Sequence, residues 1–181
     1  DPREAASTLL TYQRDRTLGT RLPRIHSHSP ETAGDATLLL AGSGGFGLLA
    51  RIDDLIGRQR DGKTFLNVDA GECVLGPAVV PPSHTRVACL AADGRLLVFG
   101  LDELKLQPNG GRGLTLMDVE AKAPLLAVAT FAERLAVHGS GRGGKAKDEV
   151  LRGNALEAHA GRRARKGRKV AGFAIGSRRF G

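Results

Sequence analysis

Gly45-Phe46-Gly47-Leu48-Leu49-Ala50-Arg51-Ile52-Asp53-Asp54-Leu55 returns 49 positions later as Gly94-Arg95-Leu96-Leu97-Val98-Phe99-Gly100-Leu101-Asp102-Glu103-Leu104. Each copy is a short apolar run that follows a glycine turn and ends on an acidic pair and a leucine. A segment that recurs in register is a structural unit, and a period near fifty residues with several short runs per unit points to blades of a propeller. In the first copy the expected strands are Thr37–Ala41, Phe46–Ile52, Phe65–Val68 and Val74–Val80, with Asp53-Asp54-Leu55 closing the second and a basic-glycine loop at 57–63. In the second they are Arg86–Ala91, Leu96–Leu101, Leu114–Met117 and Leu125–Ala129, with the loop at Pro108–Gly113.

A looser third copy starts at Ala132–His138. It aligns Asp148-Glu149-Val150 with Asp102-Glu103-Leu104 at an offset of 46, places a helix or insertion at Leu151–Ala160, and ends in a strand at Val170–Ile175. The expected fold is therefore all-β, a propeller-like array of three to four blades of four short strands. Its blades fall at about 36–81, 85–131 and 132–180 within a unit spanning 35–181. Residues 1–34 are read as a linker or an incomplete preceding blade, with Ser27–Gly34 rich in turn residues.

One stretch argues for something else. Gly57-Arg58-Gln59-Arg60-Asp61-Gly62-Lys63-Thr64 fits GxxxxGK[ST], the phosphate loop of nucleotide hydrolases. That loop needs a buried strand before it and a helix after it, so that backbone N–H groups and the helix N-terminus face the anion. Here Asp53 and Asp54 precede it and the alternating run Phe65–Val68 follows, while Arg58, Gln59 and Arg60 fill positions where a phosphate cradle wants small residues. The second copy lacks the pattern. A P-loop NTPase is thus the remote alternative.

Charge narrows the partner. The net charge is +8, yet residues 1–131 carry 14 Lys+Arg against 15 Asp+Glu, and residues 132–181 carry 13 against 4. A basic block of this kind marks a polyanion partner or a solvated tail, and nothing like an amphipathic membrane helix accompanies it. No apolar run approaches a membrane span, and the charged start (Arg3, Glu4, Arg14, Asp15, Arg16) does not resemble a signal peptide. Cys73 and Cys89, sixteen apart, read as reduced thiols, so the expected location is cytoplasmic. Tyr12 and the pair His26 and His28 read as packing and loop residues; neither catalytic nor metal sites are expected.

The basic-glycine loops supply the candidate site. Lys and Arg neutralise phosphates, and glycine lets backbone approach them. The candidates are Arg51, Arg58, Arg60, Lys63, Arg95, Lys105, Arg112, Arg142, Lys145, Lys147, Arg162, Arg163, Arg165, Lys166, Arg168 and Lys169. Aromatic residues hardly interleave them, which favours the backbone of duplex DNA, without sequence specificity, over stacked single strands. A propeller-like protein-interaction scaffold is the alternative.

The combination of Leu38-Leu39-Leu40-Ala41, Gly45-Phe46-Gly47, Asp54-Leu55, Arg58, Arg60-Asp61-Gly62-Lys63, Asp93 to Phe99, Gly110 to Gly113 and Gly161 to Gly167 resembles the C-terminal domain of ParC, the A subunit of bacterial DNA topoisomerase IV, related to the C-terminal domain of the gyrase A subunit. The resemblance covers roughly residues 36–175. It implies a β-pinwheel whose blades exchange strands, and a non-catalytic module that binds and bends duplex DNA to assist strand passage, decatenation and relaxation. It also implies a parent enzyme, a type II DNA topoisomerase, that uses ATP and Mg²⁺, forms a heterotetramer with its ATPase partner and works at the nucleoid, with no cofactor in this part. Gln59-Arg60-Asp61-Gly62-Lys63-Thr64 is the nearest match to the gyrase box QRRGGKG; one residue short and acidic in the middle, it favours topoisomerase IV over gyrase.

Overall fold

A computed structural model describes residues 36–173 and 179–180. The expectations for residues 1–34, and part of the strand expected at Val170–Ile175, lie outside these. The strands are β1 (Thr37–Ala41), β2 (Phe46–Arg51), β3 (Ala78–Val80), β4 (Arg86–Ala91), β5 (Arg95–Gly100), β6 (Leu114–Thr115), β7 (Leu125–Phe131), β8 (Arg134–Ser140), β9 (Ala146–Arg152), β10 (Arg168–Lys169) and β11 (Arg179–Phe180). Helices α1 (Ile52–Arg60) and α2 (Asn154–Glu157) follow β2 and β9.

The sheets are ordered β3-β1-β2-β6, β10-β5-β4-β7 and β11-β8-β9. Each is built on an antiparallel hairpin, β1–β2, β4–β5 or β8–β9. The fourth strand of the first sheet, β6, comes from the second copy, and that of the second sheet, β10, comes from the third. Blades that lend a strand to the preceding blade are the β-pinwheel arrangement, and they chain each unit to its neighbour by backbone hydrogen bonds.

The alternation of side chains fixes the stacking. Successive residues of a strand point to opposite faces, so a strand apolar throughout is covered on both. Leu39, Ala41 and Leu49 face Val87, Cys89, Leu97 and Phe99 between the first two blades. Ala88, Leu90, Leu96 and Val98 face Leu135, Val137 and Leu151 between the second and third. The outer face of the first blade, with Leu38, Leu40 and Leu48, is covered by Ile52 and Leu55 of α1 and by Phe65 and Leu66. Burial pushes the Cys89 thiol far above its ordinary range, so it is an inert packing group, while Cys73 is exposed.

Four local readings are corrected. Asp53-Asp54-Leu55 does not close a strand; it opens α1, which runs on into the expected loop. Asp53 and Asp54 in the first turn and Arg58 and Arg60 in the last complement the helix dipole, and Ile52 and Leu55 pack inward. Phe65–Val68 makes only an isolated bridge, Leu66 to Gly111, because the neighbouring strand positions are taken by β1 and β6. Val74–Val80 shortens to β3. Finally, Asp148-Glu149-Val150 lies inside β9, where Glu149 pairs with Val137. The buried leucine that corresponds to Leu55 and Leu104 is Leu156 of α2, 52 residues after Leu104, so the third hairpin is longer than the sequence alignment allowed.

Candidate nucleic-acid interface

The P-loop look-alike resolves first. Helix α1 precedes Gly62-Lys63-Thr64 rather than following it. Asp61 N–H donates to Gly57 O (3.2 Å) and Lys63 N–H to Arg58 O (3.0 Å), with Gly62 at φ 68°. That is a glycine-terminated helix end of the Schellman kind. The negative end of the helix dipole therefore points at this segment, the opposite of what a nucleotide phosphate needs.

Backbone hydrogen bonds also correct the alignment of the loops. Phe65 O accepts from Gly111 N, as Leu116 O accepts from Ala164 N. Leu116 N donates to Gly45 O, as Val170 N donates to Gly94 O. Gly62-Lys63-Thr64-Phe65, Gly113-Leu114-Thr115-Leu116 and Gly167-Arg168-Lys169-Val170 thus correspond, and Gly62 matches Gly113 instead of Gly111. In the last two these residues carry the exchanged strands β6 and β10.

The exchange explains the glycines. A Cβ on Gly113 would lie 2.0 Å from Gly47 O, and one on Gly167 2.5 Å from Leu96 O; both residues have positive φ. These glycines let one backbone lie against another, whereas the sequence suggests phosphate approach as their role.

Four of the candidate arginines are engaged within the protein. Arg58 Nη2 donates to Asn109 O at 2.6 Å. Arg112 bridges Asp69 at 2.8 Å and lies over the Phe46 ring at 4.0 Å. Arg95 pairs with Asp93 at 2.7 Å and donates to the carbonyls of Asp118 and Lys166. Arg163 donates to Thr115 O at 2.8 Å, and its backbone N–H to the Glu103 carboxylate. Every one of these side chains ties one copy to a segment of another. Lys147 is also engaged, with Gly172 O and over the Phe173 ring.

The contacts of Arg95 and Arg163, with Ala164 N to Leu116 O and Asp118 N to Arg165 O, hold the loop 161–169 as a fixed platform. On it Arg162, Arg165, Lys166, Arg168 and Lys169 are exposed. Arg142 and Lys145 stand exposed at the β8–β9 turn. Arg51 is exposed at the end of β2 away from its turn, Arg60 at the end of α1, Lys63 just after it, and Lys105 after β5. Sequence reasoning passed over Glu72, whose carboxylate lies against Gly44 in the β1–β2 turn and accepts the Asp69 N–H at 3.1 Å.

Arg95 gives a stability prediction. Lysine keeps the charge but lacks the planar fork that reaches a carboxylate and two carbonyls together. Arg95→Lys and Arg95→Ala should therefore both lower stability, by about 1–2 kcal/mol, as measured by denaturant melts. If Arg95→Lys is as stable as the parent chain, the geometric role is wrong.

The same pair sets a pH dependence. Partial burial works to raise the Asp93 pKa, but hydrogen bonds from Arg95 and the charges of Arg95 and Lys169 outweigh it, so the carboxyl lies below its ordinary value. A depressed carboxylate stabilises the fold above its unfolded pKa and loses that contribution as pH falls through the folded value. Melts between about pH 5 and pH 2.5 should show Asp93→Asn flattening the fall in stability below about pH 4; an unchanged slope would discount the pair.

Comparison with known proteins agrees with this architecture. No protein-family model matches the chain. The A subunit of DNA topoisomerase 4 from Neisseria gonorrhoeae is 31% identical over 133 residues, which is 70% of this chain and 17% of that protein. The chain is a relative of the C-terminal region of the topoisomerase IV A subunit. The Salmonella typhimurium protein of the same name is likewise 31% identical, over 85 residues, 47% of this chain and 11% of that protein. The chain thus matches a small part of these relatives. Among solved structures, the C-terminal domain of Escherichia coli ParC superposes with a TM-score of 0.68 at 21% identity, covering 82% of this chain and 61% of that one. The gyrase A C-terminal domain gives 0.62 at 19%, covering 83% and 49%. The pinwheel with exchanged strands is the fold they share. No helix among the described residues is long and apolar enough to cross a membrane.

Proposed function

We propose that this chain is a non-catalytic duplex-DNA-binding module of a type II topoisomerase, part of the A subunit of topoisomerase IV. It engages the phosphate backbone without sequence specificity and bends the duplex where it follows the basic rim, assisting strand passage, decatenation and relaxation. The observation that carries the reading is the platform 161–169, where five exposed cations stand on a loop already fixed by contacts between blades. A pre-ordered positive surface meets a phosphate backbone without the entropic cost of ordering long side chains and loop together. The whole enzyme would be a heterotetramer with the ATPase partner in the cytoplasm, at the nucleoid, and would draw on ATP and Mg²⁺ there; no cofactor is proposed for this part.

Binding of linear and supercoiled duplex by the chain, titrated with salt, tests the reading. Each phosphate contact should contribute about −0.9 to the slope of log K against log salt. Supercoiled DNA should bind at least as tightly as linear. Absence of duplex binding at about 50 mM salt, or binding indifferent to salt, would favour a protein-interaction scaffold instead.

A further inference from the structure

Several exposed cations share the hairpin-turn edge of the blade array, and contacts join them from one turn to the next. The hairpin turns lie on one edge. At the second blade's turn, Lys166 O is held by Arg95, Val170 N donates to Gly94 O, and β10 pairs with Arg95 and Leu96. This brings Arg165, Lys166, Arg168 and Lys169 beside that turn. Lys147 holds Gly172 O, so the same segment runs on to the third blade's turn, where Arg142 and Lys145 are exposed.

The first blade's turn is different. Glu72 lies against Gly44, Asp69 donates its N–H to Glu72, and Arg112, the cation beside them, is bridged to Asp69. Asp118, exposed, stands between this turn and the basic platform, with its N–H on Arg165 O. Of the first blade's own exposed cations, Arg51 closes β2 on the opposite edge, while Arg60 and Lys63 lie at and just after the end of α1. A strand of about six residues separates the edges by roughly 17–20 Å. A duplex lying along one edge does not reach across that distance to the other.

We infer that duplex DNA is gripped along the hairpin-turn edge of the second and third blades only, and that the acidic turn of the first blade directs it off the rim. This rests on the DNA-binding reading above and adds where the grip begins and ends. Arg51, on the opposite edge, then contributes to solubility and leaves the DNA grip unchanged, although the amino-acid sequence ranks it with the rest.

Fluorescence anisotropy of the chain with a labelled duplex of about 30 base pairs distinguishes the edges. The variant Arg142→Glu/Lys145→Glu should weaken binding by about 30-fold or more at low salt and reduce the salt slope by about 2, since each cation neutralises one phosphate. The variant Arg51→Glu/Arg152→Glu, at strand ends away from the turns, should stay within about threefold of the parent chain at about 0.1 M salt, where charges beyond a Debye length of about 10 Å are screened. Glu72→Gln should bind slightly more tightly. Thermal melts check that both double variants fold, and Arg142→Gln/Lys145→Gln should show a smaller loss in the same direction. Equal losses from the two edges would overturn the inference and leave DNA binding standing. A parent chain that binds no duplex would instead take down the reading beneath it.

Discussion

Gly113→Ala is expected to destabilise the fold by about 3 kcal/mol or more and lower the melting temperature by roughly 6–12 °C. Two costs add. The residue has φ 83°, a left-handed conformation that costs an alanine about 1–2 kcal/mol. Its new Cβ would also lie 2.0 Å from Gly47 O and 2.4 Å from Gly47 C, both backbone atoms of β2 that have no rotamer to change. Relief requires β6 to move away from β2, which strips Leu114 and Thr115 from the first sheet and loosens Leu116, a fully buried residue between the first two blades. Gly143→Ala is the control. It shares a positive φ of 74° but meets nothing within 4 Å, so only the conformational cost of about 1–2 kcal/mol remains. Equal melting temperatures for the two variants would mean that the exchanged strand is not held by this close approach. Gly167→Ala, 2.5 Å from Leu96 O, should behave like Gly113→Ala and link the second blade to the third in the same way.

This pair of glycines shows what the sequence made legible. The hairpins β1–β2 and β4–β5 were readable because strands covered on both faces leave continuous apolar runs, and Gly45 and Gly94 mark their turns in register. The exchanged strands were not. β6 and β10 are two residues long, and Leu114-Thr115 and Arg168-Lys169 share no side-chain character. What they share is a backbone requirement, the glycine before them, and glycine is too common here to single those two out. Helix α1 was missed for a related reason. Its dipole-matched charges at Asp53, Asp54, Arg58 and Arg60 were visible, but the second copy ends β5 with only a three-residue 3-10 turn, and reading the copies as equivalents suppressed the helix.

The candidate site was legible as charge and illegible as geometry. Counting cations found the basic third copy. It could not separate Arg163, which holds Thr115 O, from Arg162 beside it, which is exposed. Nor could it show that Arg95 and Arg112 are paired with Asp93 and Asp69, partners two and forty-three residues away. Guanidinium groups that reach several acceptors at once are suited to stapling loops, and the same property suits them to phosphate. Only the three-dimensional surroundings decide which role each one has.

Replacing Arg162, Arg165, Lys166, Arg168 and Lys169 by alanine should therefore remove most duplex binding while leaving the fold intact. If each contacts one phosphate, the slope of log K against log salt falls by about 4.5, and affinity at about 0.1 M salt drops roughly a thousandfold or more. Non-specific dissociation constants are typically about 10⁻⁴ to 10⁻⁶ M at physiological salt, so binding would pass beyond ordinary measurement. Stability should change little, because these side chains are exposed and β10 pairs through its backbone, which alanine retains. Losing Lys169 removes a favourable charge near Asp93, a small effect present where Asp93 is ionised and lost in acid. Arg163→Ala is the complementary variant. It takes away one positive charge from the same loop, so a site governed by net charge alone would lose about a fifth of the effect on the slope. A staple instead lowers the melting temperature, since Thr115 O loses its donor, and shifts the salt slope by well under about 1. Retained affinity in the five-residue variant would place the DNA-binding surface elsewhere on the chain.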